Sequence, residues 1–199
     1  MKRHVILFFL VYFFVLPLLF AQNKSLTAKS VIASAAKKSS VEESISYIKK
    51  NVASVTVNAE KRAVYAFLAA VMEQQGQYAE AQRAYAQAAS IQGSSQSVLD
   101  GVPNKNSEEL VIDAVRCALC AGDYSSADSY LNSAVRNSKD SNILAYVKLY
   151  EQWSGLCKAK NENETKENIA MLKTYSSLDS MKIVRPSLLL TLRDTCVHI

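Results

Sequence analysis

The chain of 199 residues carries 23 Lys and Arg against 18 Asp and Glu, a net charge of +5, and has 2 histidines. That charge is too small, and its basic pairs at 37–38, 49–50 and 61–62 too interspersed with acids, to imply nucleic acid as a partner. Five glycines and three prolines are too few for a turn-rich all-β fold, so helices are expected to dominate.

Lys2, Arg3 and His4 precede an uncharged apolar run from Val5 to Phe20, followed by Ala21 and Gln22. This layout predicts a secretory signal peptide over residues 1–21, cut after Ala21. The alternative is an uncleaved anchor, because the run approaches the roughly 20 residues of a spanning helix and would attach the protein to a membrane through residues 5–21. Leu19 is bulky for a cleavage site, and Pro17 bends the run. Both readings place residues 22–199 outside the cytoplasm as one domain of ordinary size, exported to the periplasm or held on the outer side of the membrane.

Apolar residues then recur at helical spacing. Val41, Ile45, Ile48 and Val52 form one stripe, Tyr65, Leu68, Ala69 and Met72 a second, and Tyr78, Ala81, Tyr85 and Ala88 a third. Gly76 and Gly122 occupy equivalent places: each precedes a polar residue, a tyrosine, two further residues that are small or polar, and an alanine. Glycine there ends one helix in a left-handed conformation, and the tyrosine begins packing of the next. The predicted unit is a helical hairpin.

These residues resemble tetratricopeptide repeats, hairpins of about 34 residues that stack into solenoids. With Arg62 as the first position, the signature places fall on Tyr65, Leu68, Ala69, Met72, Ala81, Tyr85 and Ala88, and Gly93 stands where the family closes with proline. With Glu108 as the first, they fall on Val111, Ala114, Val115, Ala118, Tyr124, Ala127, Leu131 and Ala134. The resemblance implies strong repeats over 62–95 and 108–141 and degenerate hairpins over 25–55 and 142–178. The expected fold is all-α, a solenoid of three to four hairpins with a closing helix at 185–198. Gly76 and Gly122 lie 46 residues apart, so the segment 93–107 interrupts the stack as a surface or contact loop. The closing segment, with Leu188, Leu189, Leu190, Leu192 and Val197, is apolar over most of its surface and is expected to be buried.

Little in the chain points to catalysis. His4 is removed if the leader is cut, and His198 is next to last, so the usual acid–base and Ser-His-Asp arrangements lack a base. Cys117 and Cys120 form a Cys-x-x-Cys pair near the C-terminal end of a first helix, where the dipole raises a thiol pKa, and Cys157 and Cys196 stand singly. Buried thiols are expected rather than redox or zinc chemistry. No catalytic residue, metal site or cofactor is expected, and the oligomeric state is open.

The resemblance also implies where a partner would sit. First-helix positions lining the concave face correspond to Ala63, Phe67, Ala70 and Glu73 in one repeat and Glu109, Ile112, Asp113 and Arg116 in the next. The lysines and asparagines with which some family members hold a terminal carboxylate are missing, which argues against that partner class. The expectation is a non-catalytic scaffold of a bacterial cell envelope that binds another envelope protein or peptide segment through this groove or the apolar C-terminal helix. Its competitor is a small-ligand-binding subunit associated with solute uptake. A neighbouring helix of the protein itself would equally fill the groove.

Overall fold

A computed structural model describes residues 26–92, 105–159 and, beyond these, 163, 164, 166, 167 and 170. The expected leader at 1–21, most of the segment 93–107, most of the hairpin 142–178 beyond its first helix, and the expected closing helix at 185–198 lie outside the described residues. Among the described residues there are seven α-helices and no strand, so the described part of the chain is all-α. They are α1 (Ala28–Ala35), α2 (Val41–Asn51), α3 (Asn58–Gln74), α4 (Tyr78–Ser90), α5 (Ser107–Cys120), α6 (Tyr124–Tyr130) and α7 (Ser141–Lys158).

Five of these seven helices start where a side chain satisfies backbone N–H groups that have no partner within the helix, whereas α3 and α4 begin without a side-chain cap. Thr27 and Ser30 form a reciprocal capping box on α1, and Asn106 and Glu109 form one on α5. Ser40 caps α2, Asp123 caps α6 and Asp140 caps α7. The Ala28 N–H at the start of α1 donates at 2.7 Å to Glu60 of α3, so a carboxylate from a neighbouring helix sits at the positive end of the α1 dipole.

The two glycine turns share one geometry. Gly76 and Gly122 have φ of 71° and 74°. The Gln77 N–H donates to the Met72 carbonyl and the Gly76 N–H to that of Glu73; Asp123 and Gly122 repeat this with Ala118 and Leu119. Both are Schellman closures of a first helix. A Cβ at either glycine would meet nothing within 4 Å, so only backbone conformation opposes a side chain there. Gly76→Ala and Gly122→Ala should each cost about 1–2 kcal/mol in chemical denaturation. Asn at the same positions should recover part of that loss, because Asn tolerates a left-handed backbone.

Twelve of the fifteen expected signature positions are buried: Leu68, Ala69, Met72, Ala81, Tyr85, Ala88, Val111, Ala114, Val115, Ala118, Ala127 and Leu131. Tyr65, Tyr78 and Tyr124 are half-buried against the cores. Ala134 departs from expectation and is exposed. Residues Leu131–Val135 form a π-helical turn, closed by the Arg136 N–H on the Leu131 carbonyl at 3.0 Å. The wider turn rotates Ala134 outward and brings Val135 into the core beneath Leu131.

Each helix packs on the next in sequence; α1 also reaches α3, and α5 reaches α7. Two apolar cores result. The first joins α1 to α4 and takes Leu110, Ala114 and Cys117 from α5. The second takes Val111, Ile112, Val115, Ala118 and Leu119 from α5 and closes on α6 and α7. α5 is therefore a wall shared by both cores.

Candidate functional site

The expected groove falls on α3 and α5. On α3, Ala63, Phe67 and Ala70 follow one another at helical spacing and are half-buried, with Ala66 beside them. They form a shallow strip of small side chains around one aromatic ring. On α5, Glu109 is exposed at the capping box, but Ile112 and Asp113 are buried. Ile112 belongs to the core that Tyr150 and Trp153 of α7 help to close. A neighbouring helix thus takes up the α5 half of the expected surface, and the α3 half stays partly open.

Glu73, Asp113 and Arg116 do come together, as an ion network between α3 and α5. Arg116 donates from Nε to Glu73 Oε1 at 3.0 Å and from Nη2 to Oε2 at 2.7 Å, a two-pronged contact matched to the planar guanidinium. Its Nη1 meets Asp113 Oδ1 at 2.9 Å. The Tyr85 hydroxyl donates to Glu73 Oε2 at 3.0 Å, and Lys105 pairs with the other Asp113 oxygen. The side chains of Arg116, Glu73 and Asp113 are only 14%, 17% and 5% exposed. Two cations thus face two carboxylates, with the charges formally balanced, on the boundary between the two cores.

The surroundings bias the protonation of Arg116 and Tyr85. Burial opposes the charged form of Arg116, yet Asp113, Tyr150 and Glu73 outweigh it and hold the guanidinium above its ordinary pKa. Burial, then Asp113 and Glu73, push the Tyr85 hydroxyl far up, so it stays a hydrogen-bond donor. Glu73 and Arg116 were legible as members of one surface from their repeat positions. Their opposite charges in adjacent first helices were the available signal of mutual pairing. Lys105 and Tyr85 carried no such signal.

The Cys-x-x-Cys pair lies in the last turn of α5, as expected. Cys117 is fully buried, and burial together with Glu73 drives its thiol far above the usual value. Burial pushes Cys120 up to about 11. Neither is poised as a thiolate at neutral pH. In the native protein at pH 8, Cys117 and Cys120 should resist iodoacetamide, as mass spectrometry of trapped peptides would show, and react fully once the chain is unfolded in guanidinium. Rapid native labelling of either would contradict the burial described.

A second concavity of about 330 Å³ lies between the π turn and α7, lined by Asp128, Leu131, Asn132, Arg136, Glu151, Ser154, Gly155 and Lys158. Its charges pair across it: Arg136 with Glu151 at 2.8 Å, and Lys158 with Asp128, which also accepts from Ser154 at 2.9 Å. Among the described residues no group of three or more His, Cys, Asp or Glu could hold a metal ion, and no helix is long and apolar enough to cross a membrane.

A protein-family model described as a middle domain matches residues 157–194. That is less than half of the chain, and most of it lies outside the described residues. No curated protein and no solved structure matches the chain.

Proposed function

We propose that this chain is an exported, tetratricopeptide-like solenoid that serves as a non-catalytic interaction scaffold in a bacterial envelope. The carrying observation is the recurrence of one hairpin geometry: two first helices, α3 and α5, end in the same left-handed glycine closure and turn into second helices that bury the corresponding Ala81 and Ala127. Stacked hairpins present a continuous face built from first helices. Here the face offered to a partner is the α3 strip of Ala63, Phe67 and Ala70, bordered by Glu73 and Arg116. It suits an apolar helix or extended peptide segment from another envelope protein. Export rests on the basic and apolar start of the sequence alone.

Photo-crosslinking tests the surface directly. A photoreactive residue at position 67 should yield a discrete adduct in intact cells, whereas the same residue at exposed Gln87 on α4 should not. Equal labelling from both positions, or none from 67, would remove the α3 strip as the contact face.

A second reading, a small-ligand-binding subunit, is favoured by the concavity beside the π turn, whose volume falls at the lower end of ligand sites. It ranks second because its charged side chains already pair with one another. A rise in melting temperature with a metabolite pool, abolished by Arg136→Ala and Glu151→Ala together, would reverse that order.

A further inference from the structure

We infer that the Glu73–Arg116–Asp113 network, with Tyr85, is a rotational key that fixes how α5 is turned between the two cores. α5 is apolar on two adjacent faces about 100° apart: Leu110, Ala114 and Cys117 enter one core, while Val111, Val115 and Ala118 enter the other. Burial of apolar surface is non-directional, so a helix of this kind can turn about its axis and still bury comparable area. Hydrogen-bonded charge is directional.

The only polar side chains on the buried length of α5 are Asp113 and Arg116, one turn apart, and both point to the same seam. Across that seam Glu73 of α3 takes both prongs of the Arg116 fork, and Tyr85 of α4 holds the same Glu73 oxygen. Turning α5 by one residue would strip Arg116 from its acceptor and drive a carboxylate into an apolar wall. The other described directional contacts grip the ends of the segment: Arg62 donates to the Lys105 carbonyl at 2.9 Å, Ser138 to Glu108 in the first turn of α5 at 2.8 Å, and Gln82 to Asp123 at 3.0 Å. None of them holds the buried length of α5. The network therefore contributes specificity of arrangement more than net stability, because buried ion pairs repay little beyond their desolvation while apolar replacements of similar volume do as well or better.

The experiment replaces the whole network in the full chain with Glu73→Met, Lys105→Met, Asp113→Leu, Arg116→Met and Tyr85→Phe, which leaves no member of the group unpaired. The expected result is a melting temperature equal to or above that of the parent, with doubled or broadened amide resonances over 107–120 and loss of single-set methyl NOEs from Leu110 and Ala114. A single sharp set with parental NOEs would overturn the key. So would failure of this variant to fold, which would make the network a source of stability instead. Arg116→Lys supplies the second arm: it keeps the charge but loses the fork, and should broaden the same α5 resonances while the chain stays folded. Parental resonances and amide exchange in that variant would equally refute the proposal.

Discussion

Arg116→Met should cost about 3–5 kcal/mol of folding stability, measured by urea denaturation, because it leaves Asp113 and Glu73 as nearby carboxylates in a site closed to water. Only Lys105 then faces Asp113, and Glu73 retains the Tyr85 hydroxyl as its sole described donor. The size of the effect comes from stranded charge rather than from lost attraction. Adding Glu73→Gln to Arg116→Met should therefore restore part of the loss, whereas two independent sites would add their costs. A loss below about 1 kcal/mol, the range of an exposed pair, would mean that water reaches the network freely.

Trp153→Ala should be comparably damaging, about 3–5 kcal/mol. This single tryptophan of the chain is 2% exposed and sits in the second core, with its ring centroid 6.2 Å from that of Tyr150 in a tilted arrangement. Far-UV circular dichroism should follow the transition, since the substitution removes the fluorophore. Because the two cores meet at α5, hydrogen exchange should show the loss concentrated in α6 and α7, with α1 to α3 protected nearly as in the parent. Uniform loss of protection from α1 onward would mean that the cores open as one unit. Trp153→Phe should lose less, as most of the apolar contact is kept.

The parts of this fold legible in the sequence are local ones. Gly76 and Gly122 announce their turns because a left-handed closure is written in the residue itself. Thr27, Ser40, Asn106, Asp123 and Asp140 announce helix starts because a cap reaches only two or three residues. Spacing of apolar residues likewise placed Ile48, Leu68, Ala88 and Leu131 inside, since period and burial are linked along one helix.

The candidate site was legible in membership but not in role. Repeat register placed Glu73, Asp113 and Arg116 on one face and treated them as groove lining, whereas in the folded chain they largely satisfy one another. Ile112 was assigned to the same face and lies in the second core. What decided this is α7, whose Tyr150 and Trp153 arrive from more than thirty residues along the chain. Ala134 shows a smaller version of the same limit: its spacing from Leu131 fits a regular helix, and the π turn rotates it out.

By itself, then, the sequence determined the helical class, the hairpin turns and the helix starts, because each depends on neighbours within about one turn. Tertiary structure alone decided which face of α5 is spent on packing, which charges are paired, and how much of the groove remains open. Those outcomes depend on residues some 40 positions apart, such as Glu73 and Arg116, and no local pattern encodes whether such partners meet each other or a second molecule.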